Sequence, residues 1–550
     1  MPTIILDKKA FLKSLGKKLS DEELKDRISM LGTSVDAVNE NEIIVEVFPN
    51  RPDLLSEQGM VRALSSFISL KKGLHEYKVK KSGCKVRIDP SVTMRPYTAC
   101  AIVKNLVLTD ERIKELMNIQ EKLATTHGRN RKKSAYGIYP LNTIHFPIAY
   151  IAKDPKTVEF QPLGLDHVIS AAKIEELHPK GKEYRSITAG WKKYPFFIDA
   201  EDKVLSMLPY TNAHETGKVE ITTKDVFVEC SGIDLQNVTV ALNILVTMLA
   251  DMGGAIYSIE MDYGKKKFQT PDLTPKKMQV SQDYVNKRLG LSLSVKEIKN
   301  CLERMGYAYT KNAVLVPAYR ADLLHAIDLV EDIAIAYGYE HFKEEIPEGA
   351  TIAQEDLFEV FRKKVCAILI GYKLQEIHTY NLTNKENVNK KMRVSLDCVE
   401  LSNALTSDYN ILRPWVLPSV MQVFAENTHY EYPQGLFTTG TIFRKDTKTE
   451  TGVREQTRLV VAIAGRDSNF TAIKQIWNGL CQALAITGEL HTTQHPSFIH
   501  GRVGRGKVLD TDVAYVGEIH PEVLANWNIE MPIAALELNL TELFEVTHKK

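Results

Sequence analysis

Hydrophobic and polar positions fall into two periods along this chain. The stretch Tyr319 to Tyr339, "YRADLLHAIDLVEDIAIAYGY", places apolar residues at Leu323, Ile327, Val330, Ala334 and Tyr337, a helical stripe. "LFEVFRKKVCAILIGYKL" and "TAIKQIWNGLCQALAIT" in the last third have the same period, and strand character marks "VRIDP", "ACAIVKNL", "RLVVAIAG" and "AALELNL". In "DVFVECSG", Val226, Val228 and Cys230 alternate with Phe227, Glu229 and Ser231, so a strand there puts Glu229 and Ser231 on one face. Val238 to Met252 is apolar all round but broken by Asn243, Thr247 and Asp251. It is too short and too polar to span a bilayer and predicts a buried helix over the sheet.

One pattern occurs twice. "LSDEELKDRISMLG" followed by "IIVEVFPNRPDLLSEQGMVRALSSF" near the start matches "LSLSVKEIKNCLERMG" followed by "VLVPAYRADLLHAIDLVEDIAIAYG" in the middle. Each has a serine, a short amphipathic helix, a glycine stop, a strand, an R-x-D-L-L turn and a second helix. Ser20 to Gly32 and Ser294 to Gly306 have equal spacing, and Val295, Ile298, Leu302 and Met305 give the second copy its apolar face. The pattern predicts one small α+β module used twice, with Asp53 and Asp322 as helix N-caps.

The copies differ in charge. Six, nine and ten positions after Asp53 stand Gly59, Arg62 and Ala63; the same steps from Asp322 reach Asp328, Glu331 and Asp332. Like charges at these helix spacings repel, and the first copy manages without them. Four hard oxygen donors at one helix start suit Mg²⁺; a solvated acidic face paired with lysines is the other reading.

At 550 residues the chain exceeds one core and predicts two to four domains. A net charge of +1, with 25% charged and 44% hydrophobic residues, is an ordinary globular profile, so any nucleic-acid partner must be met by local patches. "HGRNRKK" (His127 to Lys133) is the densest basic run, either a solvated loop or a phosphate contact. Seven scattered cysteines without a C-x-x-C pair and no apolar leader predict a reducing, cytoplasmic setting, with no membrane partner. "KKKFQTPDLTP" reads as a linker. No P-loop, G-x-G-x-x-G after a strand, G-x-S-x-G or H-E-x-x-H occurs.

Taken in order, "EVFPNRPDLLSEQGMVRAL", "HGRNRKKSAYGIYPLNTI", "HPKGKEY", "VPAYRADLLHAIDLVEDIAIAYGY", "LSNALTSDYNILRPWVLPSV" and "VGEIHPEVLANW" resemble the β subunit of phenylalanine–tRNA ligase in its archaeal form. The resemblance runs over essentially the whole chain. It implies a multidomain α+β protein: a winged-helix-like B1 module (1–88), an inserted B3/B4 α/β editing domain (89–268), a second such module, B5 (269–345), and a class II synthetase-like antiparallel sheet domain lacking catalytic motifs (346–550). It assigns Mg²⁺ to Asp322, Asp328, Glu331 and Asp332. It implies an α₂β₂ heterotetramer acting on tRNA(Phe), with synthesis in the α chain. "GLFTTGTIFRKD" resembles motif 2 of the class II enzymes, with Arg444 at the position of its arginine. The final "AALELNLTELFEV" lacks the glycines and arginine of motif 3.

A pocket shaped for phenylalanine rejects tyrosine by only about a hundredfold, because tyrosine adds just a hydroxyl. A second, hydrolytic site solves this. By resemblance Glu229 takes the tyrosine hydroxyl, with Ser231, Ser206, Asn212 and an apolar wall at Phe197; no residue there is an obvious general base. The rival readings are a stand-alone trans-editing deacylase, which would not need the synthetase-like region, and a metal-stabilised nucleic-acid scaffold built on the two modules.

Overall fold

The computed structural model describes residues 2–310, 313–346, 349 and 353–548. The chain divides into two compact units, 1–346 and 347–550. Among the described residues no helix is long and apolar enough to cross a membrane, and all seven cysteines are free thiols.

The repeated module is present twice in the first unit. Strand Thr3–Asp7, helices Lys8–Leu15 and Asp21–Met30, and strands Ser34–Val38 and Glu42–Glu46 recur as Lys276–Gln279, Gln282–Leu289, Val295–Arg304, Ala308–Thr310 and Ala313–Val316. Both three-stranded sheets run first, third, second. Local chemistry explains the recurrence. Ser20 and Glu23 form a reciprocal capping box, as do Ser294 and Glu297. Gly32 and Gly306 hold φ of 84° and 80°, the left-handed region that stops a helix. The repeat begins earlier than the sequence pattern, since Gly16 and Gly290 are matching left-handed C-caps.

The copies pack on each other reciprocally. Gly32 of the first lies against Ile335 on the second copy's last helix, and Gly306 of the second lies against Ser66 on the first copy's last helix, each at 4.0 Å from the position of a Cβ. Ile335 and Ser66 stand equally far beyond Asp322 and Asp53.

Several expectations change. The helix after the second R-x-D turn is Ala326–Tyr337, so Leu323 precedes it; Ile327 is exposed, while Leu329 and Ile333 are buried. The segment is apolar on most sides, which left the phase of the stripe undetermined. Val295 is exposed because it opens its helix. Asp53 and Asp322 cap no helix; Ser56 and His325 occupy those N-cap positions.

Between the copies lies a ten-stranded sheet. From one edge to the other it runs Thr211–Asn212, Val204–Met207, Tyr194–Ile198, Ile148–Lys153, Val79–Ile88, Ala255–Asp262, Tyr97–Lys104, Val226–Gly232 and Ser134–Pro140, with Lys267–Thr270 paired to Ala255–Asp262. Val79–Ile88, expected with the first module, is thus a strand of this sheet, and part of the expected linker is its tenth strand. Helix Leu235–Asp251 is buried over the face carrying Val226, Val228 and Cys230.

The second unit is a seven-stranded, mainly antiparallel sheet between helices. Leu459 and Val461 pack with helices Leu357–Gly371 and Phe470–Ala483. The alternate residues Val460 and Ala462 pack with helix Leu417–Glu426. Arg444 is exposed near the end of strand Gln434–Lys445, opposite Arg454.

Candidate functional site

Strand Val226–Gly232 is hydrogen-bonded on both sides, to Tyr97–Lys104 and Ser134–Pro140, and every residue in it is buried. The predicted alternation holds. Phe227 joins an apolar cluster containing Phe197, Tyr139, Tyr150, Leu205 and Leu208, and Glu229 and Ser231 share its face. Glu229 is therefore a carboxyl group with no solvent exposure. Burial pushes it up to about 8, despite the nearby Arg95 guanidinium and the Tyr139 hydroxyl.

Of the residues expected to act with Glu229, Ser231 is on its own strand, and Asn212, Ser206 and Phe197 come from the three strands at the opposite side of the sheet. Ser206 pairs in register with both Phe197 and Asn212. Tyr139, on edge strand Ser134–Pro140, closes the gap. Its hydroxyl lies 3.1 Å from Asn212 Oδ1 and 3.3 Å from Glu229 Oε1, positioned to donate to either. The two ends of the sheet thus meet at a seam holding Glu229, Asn212 and Tyr139. Phe197 stacks on Tyr150 in the same cluster, with ring centroids 4.5 Å apart. Gly137 is Glu229's register partner, and a Cβ there would lie 2.4 Å from the Tyr139 hydroxyl and 2.7 Å from Glu229 Oε1.

Arg95 is also buried, donating to the carbonyls of Arg131 and Ser231 at 2.9 Å each. Four buried atoms around the seam, Glu229 Oε2, Ser206 Oγ, Ser231 Oγ and Arg95 Nε, have no hydrogen-bond partner among the described residues. Such groups are costly in a dry core, and a bound polar group would relieve them. Beside the seam, and sharing Asn212 with it, is a cavity of about 950 Å³ lined in part by Gln120, Arg131, Gln161, His178 and Lys180. Arg131 comes from the basic run. It is no solvated loop residue: its guanidinium donates to the carbonyls of Pro209 and Tyr210 and pairs with Glu121.

The four acids of the second module have separate partners. Asp322 receives a two-pronged bond from Arg320 at 2.8 and 2.7 Å. Asp332 is buried and takes the same guanidinium at 2.8 Å, together with the Tyr307 hydroxyl. Asp328 Oδ2 accepts the Leu324 and His325 amides at 2.7 Å each, and Glu331 Oε1 accepts the Tyr339 hydroxyl at 2.8 Å. None of the four pairs with a lysine among the described residues; Glu331 is exposed and Asp328 half-buried, so the solvated-face reading holds for that side of the helix, while Asp332 is buried. Among the described residues no three His, Cys, Asp or Glu side chains converge as a metal site. All four are hard oxygen donors of the kind a divalent cation takes, and Arg320 neutralises one of the two charges it pairs with, on Asp322 and Asp332. In the first copy Arg51 and Asp53 make the same buried bidentate pair without surplus charge.

The sequence reading missed Tyr139, Arg95 and Arg320. Arg320 carried a visible signal, because the arginine of R-x-D recurs in both copies two residues before its aspartate. Tyr139 carried none, since only closure of the sheet brings it to Asn212.

The profile described as phenylalanyl tRNA synthetase beta chain CLM domain matches residues 343–540. Those of the tRNA synthetase B5 domain and the Phe-tRNA synthetase beta subunit B1 domain match 278–339 and 1–69. The phenylalanine–tRNA ligase beta subunit of Pyrococcus abyssi is 39% identical over 556 residues, covering 99% of this chain and 100% of that one. The chain belongs to the phenylalanine–tRNA ligase β-subunit family. It is a component of an aminoacyl-tRNA ligase complex. The Archaeoglobus fulgidus β subunit is 37% identical, covering 95% of this chain and 96% of that one. The crystal structure of an N-terminal fragment of the Pyrococcus horikoshii β subunit aligns with a TM-score of 0.59 at 38% identity, covering 62% of this chain and all of the fragment. The two repeated modules coincide with the B1 and B5 matches.

Proposed function

We propose that this β subunit, assembled with an α chain as α₂β₂ on tRNA(Phe), carries the editing site of the ligase and hydrolyses Tyr-tRNA(Phe), while synthesis belongs to the α chain. The carrying observation is the seam: Glu229, Asn212 and Ser206 gathered in an apolar wall that includes Phe197. At neutral pH the raised Glu229 is mostly protonated, so it can both accept from and donate to a phenol. A phenylalanine side chain would leave those buried groups unpaired, which is the stronger form of discrimination. The adjoining cavity, with Arg131 and Lys180, suits the terminal nucleotide that bears the ester.

A second part of the proposal concerns Mg²⁺. Asp322, Asp328, Glu331 and Asp332 would hold it in the second module, where their negative charge would favour a divalent cation; the first module carries Gly59, Arg62 and Ala63 at the steps of the last three and would take none.

The editing reading is tested by Glu229→Ala in the α–β complex, with phenylalanine charging as the check on assembly. Loss of the acceptor, worth about 1–3 kcal/mol, is expected to slow deacylation of Tyr-tRNA(Phe) by about five- to 150-fold. Deacylation at the unmodified rate would remove Glu229 from the site.

A further inference from the structure

The group bonded to the proposed phenol-binding residues is itself a phenol. Tyr139 has no solvent exposure, its ring lies in the cluster that contains Phe197, and its hydroxyl meets Glu229 and Asn212. Its ring also lies 5.7 Å from that of Phe227. This is the environment the editing reading assigns to the side chain of a mischarged tyrosine. Two phenols cannot share it, because the Tyr139 ring has no solvent exposure and is packed into that cluster.

We propose that Tyr139 is an internal stand-in for the tyrosyl group, which seals the seam when the site is empty and must leave before a tyrosyl ester can enter. The inference rests on the editing reading above and adds a gate to it. The position supports displacement. Tyr139 is on an edge strand, Ser134–Pro140, and Asn212 is on the opposite edge, so the contact between them crosses the seam outside the continuous ladder of the sheet. The residue two before it is Gly137, which keeps the space beneath the hydroxyl clear. The orphaned atoms of Ser206, Ser231, Glu229 and Arg95 are donors and acceptors that Tyr139 alone does not satisfy. An entering aminoacyl group brings further polar atoms, including an amine and an ester, with which to meet them.

The closed state also sets a selectivity. A tyrosyl group replaces the bonds that Tyr139 gives up, whereas a phenylalanyl group does not. The gate therefore opens at little net cost for the wrong amino acid and at full cost for the right one.

The test uses the α–β complex. Tyr139→Phe removes the competing hydroxyl and weakens the seal by one hydrogen bond, so Tyr-tRNA(Phe) deacylation is expected to run about tenfold faster. An equal or slower rate, with Glu229→Ala still impaired, overturns the gate and leaves the editing reading intact. If Glu229→Ala is unimpaired, the editing reading fails and the gate with it. Tyr139→Ala gives a second readout that needs no turnover. The vacated space is expected to bind p-cresol, seen as a rise in melting temperature absent from the unmodified chain and greater than that given by toluene. Equal responses to the two would show an ordinary apolar cavity and refute the stand-in. If Tyr139→Ala does not fold, the Tyr139→Phe rate alone decides.

Discussion

Glu229→Gln should remove one component of the chain's pH-dependent stability. The unmodified carboxyl titrates near 8 in the folded chain against an ordinary 4.5, because burial disfavours its charged form. Between those values the native state holds a proton that the unfolded state has released. Stability from this group is thus greatest below about 4.5 and falls as pH rises, until the loss levels off above about 8. The shift corresponds to a ceiling of about 5 kcal/mol at 1.36 kcal/mol per pH unit. Glutamine keeps the shape and cannot ionise. The Gln variant should therefore match the unmodified chain near pH 4.5, exceed it increasingly up to about pH 8 and keep a constant lead above that. Glu115, raised to about 7 by burial, and Asp251, also raised, titrate in both proteins and cancel in the comparison. The assay is urea unfolding of residues 1–346 at a series of pH values; the corresponding fragment of the P. horikoshii relative was crystallised by itself. Parallel pH profiles for the two proteins would refute the buried neutral carboxyl, and with it the pairing of Glu229 to a phenol.

Arg320→Met leaves Asp322 and Asp332 without their shared cation in a largely buried site, and is expected to destabilise by about 3–5 kcal/mol. A change under about 1 kcal/mol in urea unfolding would mean that solvent already screens the pair. For the metal, Mg²⁺ at a hundredfold excess over its Kd should stabilise the unmodified chain by about 2.7 kcal/mol. Asp328→Asn with Glu331→Gln should abolish that response in thermal melts; a chain whose melting temperature ignores Mg²⁺ sinks the site.

What local chemistry controls was legible along the chain. Serine and glutamate three apart make a capping box wherever they start a helix, and a glycine after the last turn stops it, so both copies of the module could be read from Ser20–Gly32 and Ser294–Gly306. Strict alternation in "FVECS" placed Glu229 and Ser231 on one face, because side chains on a strand point to opposite faces in turn. What depends on which segments meet was not. Asp53 and Asp322 looked like helix caps because a carboxylate serves either role; the buried arginine two residues before each claims it instead. The helix at Ala326–Tyr337 is apolar on most sides, so its phase waited on the packing of the first module against it. Tyr139 reads in sequence as one aromatic among many. It meets Asn212 only because a ten-stranded sheet brings its two edges together, and no pattern along the chain records that closure.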